Sequence, residues 1–97
     1  MQIPKSFELF GQTINVVYVD DLAKNKDRYG ESIFESNLIR LQTPSDNLPK
    51  ALIEQTFQHE LVHWLYYLLG EEKLCDNEKH IDRFSHLLHQ ALTTSKY

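Results

Sequence analysis

The chain holds one cysteine, Cys75, among its 97 residues, so no disulfide can form within it. Short secreted chains ordinarily carry several bridged pairs, and their lack predicts a reducing, cytoplasmic setting. No apolar segment follows the opening Met1-Gln2-Ile3-Pro4-Lys5, so no export signal is expected. Long hydrophobic runs are missing too. The longest apolar stretch, Leu61 to Leu69, is interrupted by His63 and is far too short to span a bilayer, which argues against a membrane partner. Basic residues cluster only at Lys24, Lys26 and Arg28, diluted by Asp20, Asp21 and Asp27, and the net charge is -4. Recognition of nucleic acid needs a basic stripe or patch, so no nucleic-acid partner is expected. There is no internal repeat and no low-complexity segment.

What is present is an ordinary globular composition, 41% hydrophobic and 25% charged. The length predicts one domain, residues 1–97, with a modest core. A small core without disulfides needs a further source of stability. A bound metal supplies one, because ligands assembled only in the folded chain couple binding to folding. A second copy of the chain is the rival solution, so monomer and homodimer both stay open.

Strand formers come first. Phe7 to Phe10 and Thr13 to Val19 read as strands around a turn at Gly11-Gln12, and Leu22 to Asp27 as a loop or one helical turn. Tyr29 to Phe34 begins a second sheet region, Glu35-Ser36-Asn37 reads as a turn, and Leu38 to Leu41 as a strand that Pro44 closes. Short links predict a largely antiparallel sheet of three to four strands. From Pro49 to Leu69 no proline or glycine interrupts, and Gly70 follows as a C-terminal cap, so this segment is a long helix. Glu71 to Cys75 is a short connection. Asp76 or Asn77 caps a second helix to about Leu92, with Ile81, Phe84, Leu87, Leu88, Ala91 and Leu92 as its apolar stripe and a frayed tail after it. Strands first and helices last predict an α+β fold with helices against one sheet face.

The long helix carries His59-Glu60-Leu61-Val62-His63. Residues four apart lie on one face, so two imidazoles there can converge on one zinc ion at about 2.0–2.1 Å. Glu60 stands about 100° round the axis from His59, beside the metal rather than on it, where its carboxylate can reach an activated water. Burying two histidines and a glutamate in an apolar helix costs free energy unless they are paired or coordinated. On the helical wheel only Glu54 and Gln58 form a clearly wet strip.

A catalytic zinc takes three protein ligands and an open position. Cys75, Asp76, Glu78, His80, Asp82, His86 and His89 all lie downstream. Glu78 is preferred. It stands at the start of the second helix and three residues before Ile81, on the face that packs against the first helix. Asp82, His80 and Cys75 are the other candidates. Asp82 and His86 form an i,i+4 pair on a face read as wet.

Gln58-His59-Glu60-Leu61-Val62-His63 and Asn77-Glu78, followed by Ile81, Phe84 and Leu87-Leu88, resemble a glutamate-ligand zincin of the minimal kind. Small phage-encoded peptidases and relatives of the ImmA/IrrE-like peptidases share that layout. The resemblance implies a zinc metallopeptidase with one zinc per chain on His59, His63 and Glu78, Glu60 as general base, and a peptide or protein as substrate. It implies that Leu38 to Leu41, the last strand before the active helix, lies along the cleft and binds extended substrate. It also raises a histidine or tyrosine that stabilises the tetrahedral intermediate, for which His80, Tyr66, Tyr67 and Tyr29 are candidates. The competing readings are a non-catalytic zinc-stapled interaction module, with Cys75 as a fourth ligand, a latent peptidase, and a metal-free interaction domain.

Overall fold

A computed structural model describes residues 2–26 and 28–97. Asp27, the end of the stretch read as a loop or one helical turn, lies outside the described residues. The order is β1 (Ser6–Leu9), β2 (Gln12–Val19), α1 (Leu22–Lys26), β3 (Gly30–Ile33), a 3-10 turn at Phe34–Ser36, β4 (Leu38–Gln42), α2 (Lys50–Leu69), α3 (Glu72–Cys75) and α4 (Glu78–Thr94). This is the expected α+β arrangement, strands first and helices last. The second long helix runs through Thr94, past the predicted end at Leu92, and the connection after Gly70 contains the short α3.

The sheet order is β1-β2-β4-β3. β1 and β2 form an antiparallel hairpin in which Leu9 pairs with Gln12. Phe10 and Gly11 are therefore the two turn residues, both at positive φ (49° and 74°), as a two-residue hairpin turn matched to strand twist requires. The expected turn at Gly11-Gln12 is displaced by one residue. β3 and β4 are also antiparallel, but β2 and β4 are parallel. The sheet is mixed because β3 takes the outer place and β4 returns between β3 and β2. Counting link lengths along the chain misses this, since the parallel pair is not consecutive in sequence.

Alternate residues of the two central strands face inward. Ile14 and Val16 of β2 and Ile39 and Leu41 of β4 join Ile53, Phe57 and Trp64 of α2 in one buried cluster. Burying each large side chain contributes about 1.5–3 kcal/mol. α2 therefore lies across one sheet face, and α4 packs on α2 through the buried Ile81 and Ser85. Gln55 Nε2 donates to Ser85 Oγ at 3.2 Å, a polar link between the two helices. Gln58, expected on a wet strip, is fully buried. It follows Gln55 by one turn of a helix that is covered on several sides. The apolar stripe of α4 is only partly covered: Phe84, Leu87 and Leu92 stay exposed. Among the described residues no helix is long and apolar enough to cross a membrane.

Both ends of the α2–α4 connection are set by local chemistry. Gly70 adopts φ 76°, and Glu71 N donates to Tyr66 O while Gly70 N donates to Tyr67 O. This pairing satisfies carbonyls at the end of α2 and turns the chain. Asn77 caps α4 by accepting from His80 N at 3.1 Å. That cap makes Glu78 the first residue of α4.

β3 approaches α2 closely at Gly30. A Cβ there would stand 2.6 Å from Thr56 Cγ2 and 3.1 Å from Leu41 Cδ2. The Thr56 hydroxyl donates to Leu52 O at 2.9 Å, which holds its methyl in place. Gly30→Ala is expected to force β3 off α2 and cost about 1–3 kcal/mol. Thermal unfolding of the variant measures that loss.

Candidate metal centre

α2 presents His59 and His63 on one face, with ring centroids 5.0 Å apart. Glu78, at the capped start of α4, reaches between them. Its Oε2 lies 3.1 Å from His59 Nε2 and its Oε1 lies 3.0 Å from His63 Nε2. The three side chains offer donor atoms that all lie within 4.8 Å of one another. Donors at about 2.0–2.1 Å from a tetrahedral ion stand about 3.3–3.4 Å apart, close to the two separations between Glu78 and the histidines. Two neutral imidazoles and a carboxylate also suit the ion chemically. This is a His-Glu-x-x-His-type metal-binding arrangement completed by a distal glutamate.

The other candidate ligands stand outside this group. Asp82 Oδ1 is 3.7 Å from His59 Nδ1, the ring nitrogen turned away from Glu78. A carboxylate brought within hydrogen-bond distance of that nitrogen would orient a histidine ligand and raise its basicity. Asp82 Oδ1 is also 3.5 Å from His86 Nε2, and both side chains are exposed, as the wet-face reading had it. Cys75 stands behind His63. Its thiol donates to His63 O at 3.4 Å, and its Sγ is 3.8 Å from His63 Nδ1. Burial, followed by the carboxylates of Asp76 and Glu78, pushes the thiol up and keeps it protonated. A sulfur on that side of the ring is no fourth ligand. His80 accepts or donates at 2.9 Å with the Tyr66 hydroxyl.

Glu60 is buried beside the histidines. Burial raises its carboxyl above the ordinary range. A hydrogen bond from Ser32 and the neighbouring His63 lower it in part, and Glu78 raises it again. Ser32 Oγ donates to Glu60 Oε1 at 2.8 Å, which ties α2 to β3. Sequence reasoning missed Ser32. A serine in a short strand carries no signal until β3 is placed against α2.

These groups lie in a cleft of about 740 Å³. One wall is β3 with its flanks, Arg28 to Ser32 and Phe34; the other is the start of α4 with Asp76, Glu78, Asp82 and His86. The strand along the cleft is thus β3. The expectation for Leu38 to Leu41 is overturned, because β4 is paired on both sides, with β2 and with β3. Of the four candidates for stabilising a tetrahedral intermediate, Tyr29 lines the cleft, whereas His80, Tyr66 and Tyr67 do not. No protein-family model matches the chain, and neither does any curated protein or solved structure.

Proposed function

We propose that this chain is a zinc-dependent peptidase of the minimal glutamate-ligand zincin kind. The single observation that carries the reading is the meeting of His59, His63 and Glu78 around one point, with the buried carboxylate of Glu60 beside it in an open cleft. A zinc ion held by those three side chains would supply a water of lowered pKa and would polarise the scissile carbonyl.

The chain's own groups do the rest. Glu60 takes the proton of the attacking water and returns it to the leaving amine. Its raised pKa suits the first half of that task, since a carboxylate that holds a proton more tightly is the better base. Ser32 occupies Oε1 and leaves Oε2 for the proton. β3, at the edge of the sheet, offers main-chain groups to an extended peptide. The single thiol, buried and unpaired with another cysteine, fits work in a reducing cytoplasm.

Purified protein is expected to carry one zinc per chain by elemental analysis. Cleavage of an unfolded protein substrate should stop on chelation and return with zinc. A protein that binds no zinc under these conditions is not this peptidase. Ser32→Ala is expected to keep the zinc and lower kcat by about tenfold, as the loss of an orienting partner does. Steady-state kinetics beside metal analysis separates the two effects.

A further inference from the structure

Beyond His63 the cleft continues into a second cavity of about 400 Å³, lined by Phe34, Tyr67, Gly70, Glu72, Cys75 and Asp76. Phe34, Cys75 and Asp76 line both cavities, so the second opens directly beside the metal ligands. Its wall is an aromatic stack. The Phe34 and Tyr67 rings lie 4.1 Å apart and 8° from parallel. Trp64, fully buried, meets Phe34 edge-on at 4.8 Å and Tyr67 at 5.8 Å, which fixes the stack from behind. Tyr67 itself is 48% exposed. The two charged liners, Glu72 and Asp76, are both acidic and both exposed, and among the described residues no cation lines the cavity.

We propose that this cavity receives a long basic side chain of the peptide substrate, arginine before lysine, from a residue beside the scissile bond. Bond cleavage in this statement rests on the peptidase reading; the fit of the side chain does not. β3 runs directly into Phe34, so a peptide laid along β3 delivers a side chain to this cavity. The guanidinium is planar and weakly hydrated, and it stacks on aromatic faces while donating to carboxylates. Its stem packs along apolar surface. A leucine or phenylalanine would use the rings but leave Glu72 and Asp76 to water. A glutamate would meet two like charges.

Two measurements test the subsite, the second of them independently of turnover. The first is kcat/KM of the zinc-loaded protein on peptides that differ only beside the cut, with arginine, lysine, leucine or glutamate. Arginine should exceed glutamate by about tenfold or more. The second is binding of the same peptides to zinc-loaded Glu60→Gln, followed by fluorescence anisotropy, and it should give the same order. The Glu72→Lys/Asp76→Lys double variant should invert arginine against glutamate. Tyr67→Ala should narrow the arginine advantage over leucine, its folding checked by thermal melting. Equal binding of all four peptides, or an order untouched by the charge reversal, overturns the subsite. Selective binding without cleavage by the unmutated protein keeps the subsite and removes the peptidase reading.

Discussion

Glu60→Gln is expected to retain one zinc per chain and to lose peptide cleavage by about a hundred- to ten-thousand-fold. That is the usual range for removing a positioned general base. The substitution is nearly isosteric. The amide oxygen can still accept from the Ser32 hydroxyl across the same 2.8 Å contact, so the position of the side chain is kept. What disappears is the capacity to take a proton. Glu60 is not one of the three grouped donors, so zinc content should be unchanged. Full cleavage by the variant would remove Glu60 from the mechanism.

The same variant has a second, opposite effect. In the metal-free protein the Glu60 carboxyl sits above its ordinary value of 4.5, chiefly through burial. Ionising it is therefore harder in the folded chain than in the unfolded one. Below the unfolded value both states hold the proton and no penalty exists. As pH rises through the raised folded value the penalty becomes complete. Metal-free Glu60→Gln is accordingly expected to melt higher than the unmutated protein at about pH 8 and at nearly the same temperature at about pH 4. Paired melts at the two pH values check the sign. A catalytic carboxylate held at the expense of stability is common at active sites.

Glu78→Ala is expected to weaken zinc binding by more than the about 10–100-fold that the loss of an outer contact costs. Its two oxygens approach both imidazoles, at 3.1 and 3.0 Å, so one substitution removes a ligand and the bridge between the other two. The rise in melting temperature that zinc gives the unmutated protein should shrink in step, because a ligand stabilises the fold by its affinity for it. Competition titration with a chromophoric chelator measures the first quantity and thermal melting in excess zinc the second. Asp82→Asn is the comparison. At 3.7 Å from the far nitrogen of His59 it should fall within the smaller range. Unchanged zinc affinity in Glu78→Ala would move the third ligand elsewhere.

The metal centre was legible because each of its parts has a local cause. Helical periodicity pairs His59 with His63, and Gly70 and Asn77 announce where one helix stops and the next begins. Glu78 then falls within reach whatever the sheet does. The sheet was legible only as strands. Which strand borders the cleft depends on β4 inserting between β2 and β3, and non-local pairing of that kind leaves no periodic mark. Hence Leu38 to Leu41 stood in for Gly30 to Ile33, and Ser32 passed unnoticed. Gln58 misled for a related reason: polarity predicts exposure only when no other element covers the position. Tyr66 and His80 looked available to substrate, but they bond each other and join two helices.

The three metal donors come from residues 59 to 78 alone, whereas the group that steadies Glu60 comes from β3. On the proposed function, ion capture and turnover thus have separate anchors. Damage confined to the sheet should leave a chain that still loads its ion yet works slowly, and damage to the two long helices should abolish both at once. Variants of this chain ought therefore to fall into two groups, and a loaded but sluggish one would carry its lesion in the first half of the sequence.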